Sequence, residues 1–283
     1  MGWLTDPFAF GFMQRSLVAS IIVGVVCSVI GCYVVLRSLA FLGDALAHAV
    51  LPGVAVAYLV GANLLAGALV AGLLVAIGIS YVSRSGTIRE DTSIGVLFSA
   101  ALALGVVLIS TMEAYAVDLT HVLFGNVLGV SNTDLWVSGG LAAVVLITIG
   151  LLYKRLLVMS FDPILGKSLG LRTHALRTGR FLLLAATIVV ALRTVGVGLV
   201  AALLVTPPAA AYLLTRRLPA MMGLSVVIGL VSTVGGLYAS YYLNVASGAS
   251  MVLVATFIFL VAFLFAPRRG AMWKLRRFRK VAA

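Results

Sequence analysis

The sequence predicts an all-α fold: a polytopic transmembrane helical bundle of about 8–9 spans, with broken helices and one short cytoplasmic coupling helix. Three observations carry that expectation. Of the 283 residues, 63% are hydrophobic and only 10% charged, with a mean hydropathy of +1.20, which is the composition of a multi-span membrane protein. Apolar runs of roughly 20 residues, enough to cross the hydrocarbon, recur from residue 16 to residue 266 with no soluble domain between them. The net charge of +12 is gathered beside those runs. Seven of the 20 Lys and Arg lie between Arg268 and Lys280, six between Lys154 and Arg180, and Arg84/Arg89 and Arg216/Arg217 add four. Basic patches flanking apolar runs mark cytoplasmic loops, so the charge argues for membrane topology and against a nucleic-acid partner. The whole chain, 1–283, reads as a single transmembrane domain. Its membrane-embedded core covers about 14–266 and its basic cytoplasmic tail 267–283.

The elements follow in order. Residues 16–36 form the first span. Asp6 and Arg15 precede a run long enough to cross, which argues against a cleavable leader. Residues 38–60 form a second segment, interrupted at Leu51-Pro52-Gly53, where proline has no N–H to continue the helical ladder. Residues 62–82 cross next, Ser83 to Asp91 is a polar turn, and 93–111 cross again. The loop 112–134 holds Glu113, Asp118, His121 and Asp134 but no Lys or Arg, the pattern of an external segment. Its acidic residues read as solvated rather than as a strong cation trap. Residues 135–153 return, and 154–180 form a basic polar segment in which His174 is solvated. Residues 181–214 are apolar but contain Arg193, Gly196, Gly198 and Pro207-Pro208. If every basic patch lies inside, these 34 residues must leave and return as two short helices broken near Arg193 to Gly198. Residues 220–243 and 250–266 are the last spans. Nine crossings with the N-terminus outside result. Eight, with one re-entrant segment and the N-terminus inside, is the alternative.

A weak internal repeat supports this reading. Arg37 and Pro52 are 15 residues apart, as are Arg193 and Pro208, and each copy ends in small residues followed by Tyr58 or Tyr212. Inverted repeats with helices hinged in matching places, here Pro52/Gly53 and Pro207/Pro208, characterise transporters. Chance similarity between two Ala/Val/Leu-rich stretches is the competing explanation.

Asp44 and His48 are the candidate metal-contacting pair. Four residues apart on a helix, they share one face, and an ionisable residue within a membrane segment is costly enough to point to function. A carboxylate with an imidazole suits a divalent ion such as Mn, Fe or Zn. One of each is half of a tetrahedral shell, and a symmetric dimer with this face on its axis would supply four ligands. The bland alternative is a polar pair hydrogen-bonded between helices. The corresponding positions of the second copy are Val200 and Leu204, so only the first copy carries ligands. Cys27 and Cys32, five apart, point to different helix faces and read as packed free thiols.

Residues 161–176 predict a short cytoplasmic helix. Asp162 caps it, Pro163 suits its first turn, Leu165, Gly166 and Leu169 belong to its body and end, and Gly170 closes it. Such a helix serves as a docking element for a cytoplasmic partner, or is an ordinary interfacial loop. Gly166-Lys167-Ser168 is not a phosphate-binding loop, because Phe161 stands where that motif needs glycine. ATP hydrolysis, if any, belongs to another chain.

The runs SLAFLGDALAHAVLPGVAVAYLVG, IREDTSIGVLFS, LFGNVLGVSNTDL, FDPILGKSLGL and RTVGVGLVAALLVTPPAAAYLLT occur in order over about 14–266. Together they resemble the membrane permeases of bacterial ABC importers for manganese, zinc and iron, GDALAHAVLPG being the most specific stretch. The double proline at 207–208 departs from the single proline of that pattern. The resemblance implies a multi-pass protein of the bacterial cell membrane with the fold of the vitamin B12-type importers. It implies two permease copies around a central path, two cytoplasmic ABC ATPase subunits beneath, and an extracellular metal-binding lipoprotein delivering the ion. Asp44 and His48 would then line the metal path, and Asp162 to Gly170 would contact the ATPase. No enzymatic activity of its own and no permanently bound cofactor are expected, the metal being cargo. The rivals are a permease for an iron chelate or cobalamin, a proton-coupled secondary metal transporter, and an intramembrane metalloprotease, which would need an HExxH-like pair this chain lacks.

Overall fold

The structure, a computed structural model, describes residues 10–85, 88–111, 129–215 and 217–266. Among them every regular element is helical. The order is α1 (Gly11–Leu36), α2 (Phe41–Ala49), α3 (Leu51–Leu59), α4 (Leu64–Val82), a 3-10 turn (Ser83–Ser85), α5 (Glu90–Ser110) and α6 (Asn132–Phe161). There follow α7 (Pro163–Ser168), α8 (Thr173–Val195), α9 (Val197–Leu214), α10 (Leu218–Leu243) and α11 (Ser247–Phe265). An apolar chain without water must satisfy its backbone internally, and a helix does so within one segment. Among the described residues eight segments are long and apolar enough to cross a membrane, α2 and α3 counting as one, and Gly198–Leu214 is a shorter ninth.

Two cavities sort the ends of the helices. Arg37, Ser83, Glu90, Met159 and Thr173 line one cavity, while Leu36, Ser160, Tyr212, Thr215 and Leu218 line a neighbouring one. The α1–α2, α4–α5, α6–α8 and α9–α10 connections therefore share one end of the bundle, the basic, cytoplasmic one. Helices α8 and α9 leave that end and return to it, as nine crossings require. Phe10, at the start of α1, lies beside Tyr241 near the far end of α10, their ring centroids 6.5 Å apart, so the chain enters from the opposite side.

Helix α1 forms the centre, packing against α6, α8, α9 and α10, with α2 seated against α5, α8 and α9. In α1 and α2–α3, 67% of the membrane stretch is buried, against 17% in α5 and 22% in α6 and α11. The latter three form the rim that lipid or a partner covers. Small residues bring backbones together where no hydrophobic force separates helix from lipid. A Cβ on Gly53 would collide with the Gly67 carbonyl oxygen of α4, and one on Gly31 with the Leu204 carbonyl oxygen of α9. That second oxygen has no helical partner, since Pro208, four residues on, lacks an N–H. It rests instead on the bare Cα of Gly31.

Three expectations change. The basic segment is shorter than 154–180, because α6 continues to Phe161 and α8 begins at Thr173. Arg177 and Arg180, now within α8, find partners on neighbouring elements, so helical backbone extends past the hydrocarbon. Helix α9 runs unbroken through Pro207 and Pro208, while the interruption before it falls at Gly196, within the expected Arg193–Gly198 stretch, at a φ of +82° that favours glycine. The interruption in the first copy is Val50, a single residue between α2 and α3, with Pro52 in the first turn of α3. Gly53 lies inside α3, where it serves close packing rather than a turn.

Candidate metal path

Helix α2 is aimed by its connection to α1. Ser38 takes a left-handed conformation at φ +56°, and Arg37 donates from Nη2 to the Met159 carbonyl oxygen, tying the turn to α6. Leu42, Gly43, Ala45, Leu46, Ala47 and Ala49 are buried and Phe41 is exposed, with Gly43 against the Leu204 side chain. That leaves Asp44 and His48 together on a half-buried face. The His48 ring stacks on Phe98 of α5 at 6.2 Å and 29°, and Phe98 meets Phe41 edge-on at 5.7 Å. The His48 Nδ1 is buried without a hydrogen-bond partner. Asp44 has no ion-pair partner among the described residues. Phe98 is eight residues from Glu90 at the cytoplasmic end of α5, about 12 Å at 1.5 Å per residue, so the pair lies in the inner half of the membrane.

Two donors of complementary type, both lacking partners, can hold a cation only with help. Among the described residues no group of three or more His, Cys, Asp or Glu could hold a metal ion. Val200 and Leu204 of the second copy are fully buried in the core and offer nothing. Cys27 and Cys32 are buried free thiols, Cys32 donating to the Ser28 carbonyl oxygen at 3.2 Å. Glu113, Asp118 and His121 lie outside the described residues. Asp134 closes a capping box with Ser131, and α6 begins three residues earlier than expected.

At the cytoplasmic end α7 is built as its sequence suggests. Asp162 Oδ1 accepts from the backbone N–H of Ile164 at 2.9 Å and of Leu165 at 3.0 Å, and Pro163 stands at the start. Gly170, at φ +71°, lets the Leu171 N–H reach the Gly166 carbonyl oxygen at 3.1 Å. Gly166 packs toward Met159 of α6. Phe161, Ile164, Leu165 and Leu169 are exposed, Ile164 at 80%, and form an apolar patch at the helix ends.

Sequence reasoning missed the polar knot above α7. Glu90 pairs with Arg180 at 3.3 Å and Arg177 at 3.7 Å, and Arg177 also donates to the Ser80 and Ser83 carbonyl oxygens, both at 3.1 Å. Ser80 and Thr178 hydroxyls share a hydrogen bond at 2.6 Å. The signal available was Arg177 and Arg180, three apart on the approach to an apolar run, which marks one face of a helix.

The ABC 3 transport family matches residues 9–266. The manganese transport system membrane protein MntC of Halalkalibacterium halodurans is 47% identical over 278 residues, covering 97% of this chain and 95% of that protein. The manganese import system permease protein ScaB of Streptococcus gordonii is 42% identical over 260 residues, covering 92% and 93%. The solved structure of PsaBC from Streptococcus pneumoniae in complex with Fab is similar at a TM-score of 0.84 and 40% identity, covering 97% of this chain and 98% of that one.

Proposed function

The chain belongs to the ABC 3 transport family, and from that premise we propose that it is the membrane permease through which an ATP-driven importer carries manganese into the bacterial cell. It is a multi-pass membrane permease, not itself a catalytic enzyme. The observation that carries the reading of its path is the Asp44/His48 pair, two unpartnered donors on a half-buried face in the inner half of the bundle. An anionic carboxylate there needs a counter-charge, and a passing divalent ion supplies it. Oxygen and nitrogen donors without thiolate suit manganese, and also iron and zinc. The names of the relatives favour manganese.

The whole chain serves as one permease domain. A second copy, facing this one across α2 and α5, brings a second Asp44 and His48 and completes four donors. Two cytoplasmic ATPase subunits dock on the exposed apolar patch of α7, with Asp162, Pro163, Leu165, Gly166, Leu169 and Gly170 shaping that helix. An extracellular lipoprotein delivers the ion. ATP-driven closure of the ATPases pulls the two α7 helices together, and the permease copies rock so that the path opens to one side and then the other. The path helices flex at their interruptions, Val50 just before Pro52 in the first segment and Gly196 in the second, rather than at Gly53, Pro207 or Pro208. The ion site must bind weakly enough to release its cargo.

Uptake of radiolabelled manganese and zinc by cells carrying His48→Ala tests this, with insertion and ATPase binding checked in parallel. Loss of manganese uptake in a correctly assembled complex is expected. Unchanged uptake of both ions would remove His48 from the path. A permease for a chelated metal is the second reading, and an Asp44→Ala variant that still imports chelates would favour it.

A further inference from the structure

The cytoplasmic ends of α1, α4, α5, α6 and α8 surround a cavity of about 340 Å³, floored by α7. Five cations line it, Arg37, Arg84, Lys167, Arg177 and Arg180, against one carboxylate, Glu90. Five positive charges minus one leave four uncompensated by the lining. Retention of positive charge on the cytoplasmic side requires only exposed Lys and Arg near the membrane. It does not require Arg180 at 7% exposure, since a buried charge is costly without enough partners. The Nε of Arg37, Arg177 and Arg180 are all buried without a hydrogen-bond partner, although other nitrogens of the same groups are engaged. The cavity thus holds a concentrated positive field, and the guanidinium groups that pack behind it are not fully satisfied by the protein.

We propose that this cavity binds a phosphate-bearing anion at the cytoplasmic membrane surface. Phosphate matches the donors better than a carboxylate does. It carries up to two charges and several acceptor oxygens, and guanidinium forks bind it in bidentate fashion. The volume admits a phosphate with its glycerol ester, and basic pockets between helices on this side of a membrane are suited to anionic lipid headgroups. Free phosphate presents the same chemistry from the cytoplasm. Bound there, the anion joins Lys167 of the docking helix to Arg37 of the turn that leads into α2, so it links the ATPase face to the Asp44/His48 helix.

The test uses the permease assembled with its ATPase in nanodiscs of phosphatidylcholine, with and without phosphatidylglycerol. Lipid retention is read by native mass spectrometry and inorganic phosphate binding by calorimetry. Phosphatidylglycerol retained by the assembled complex identifies a lipid headgroup as the source. Binding of inorganic phosphate alone identifies a soluble one. In either case Arg180→Gln is expected to weaken binding about tenfold, the effect of one charge-assisted contact. Arg84→Gln, at an exposed position, is expected to weaken it in the same direction if Arg180→Gln does not fold. Absence of both ligands, or binding indifferent to both substitutions, overturns the proposal. So does phosphate binding by the isolated permease that vanishes when the ATPase docks, because the cavity would then receive side chains of that protein.

Discussion

The two segments that share the Arg-x14-Pro spacing, Arg37 to Pro52 and Arg193 to Pro208, have been put to different uses. In the first, the helix stops at Val50, two residues past His48, and its polar pair faces an accessible surface. In the second, the helix stops at Gly196, before the corresponding positions, and continues unbroken through both prolines. Val200 and Leu204 then sit at 0% exposure, and Leu204 packs into the hollow left by Gly43 of the first segment. One segment presents a polar, half-buried face and the other packs into the core behind it. The difference lies in where the helix is interrupted relative to the same register.

The largest effect should come from imposing the first copy's chemistry on the second. Leu204→Asp removes buried packing and buries a charge, together about 5 kcal/mol. The expected outcome is loss of the folded permease from the membrane fraction. Normal accumulation would mean that the second copy tolerates path-like residues and that the contrast is wrong. Asp44→Asn comes next. It keeps shape and removes charge at a face with no partner to disturb, so manganese uptake should fall by about tenfold or more while thermal stability of the complex stays the same. A fall in stability matching the loss of uptake would make Asp44 structural. The smallest effect belongs to Phe98→Leu. The stacking of His48 on Phe98 is worth about 1 kcal/mol, so uptake should drop severalfold, and the same substitution made in a His48→Ala background should cause no further loss. Additive losses would separate Phe98 from His48.

Much of this was legible before the structure. The spans followed from hydropathy, because hydrocarbon imposes a length, and Asp44 and His48 stood out because a lipid environment makes them expensive. The cap at Asp162 and closure at Gly170 were readable because both act within a few residues. Arg177 and Arg180 were not. Their partners Glu90, Ser80 and Ser83 lie some ninety residues away, and a basic stretch followed by apolar residues reads as loop until a neighbouring helix offers carbonyl oxygens and a carboxylate. The prolines misled for a related reason. A proline frees one carbonyl, and whether the helix breaks there depends on what receives that oxygen. At Pro208 the recipient is Gly31 of another helix.

Local composition and short-range periodicity were enough to set the class of the protein, its apolar crossings and its basic end, and to single out Asp44 and His48. Packing between distant segments settled the rest: which of the two similar segments presents an accessible face, that the second runs unbroken through both prolines, and that five cations from four segments share one cavity with a single carboxylate. These depend on which helices meet. In a membrane that choice is made by close packing of small residues and by scarce polar partners, neither of which leaves a periodic trace in one chain.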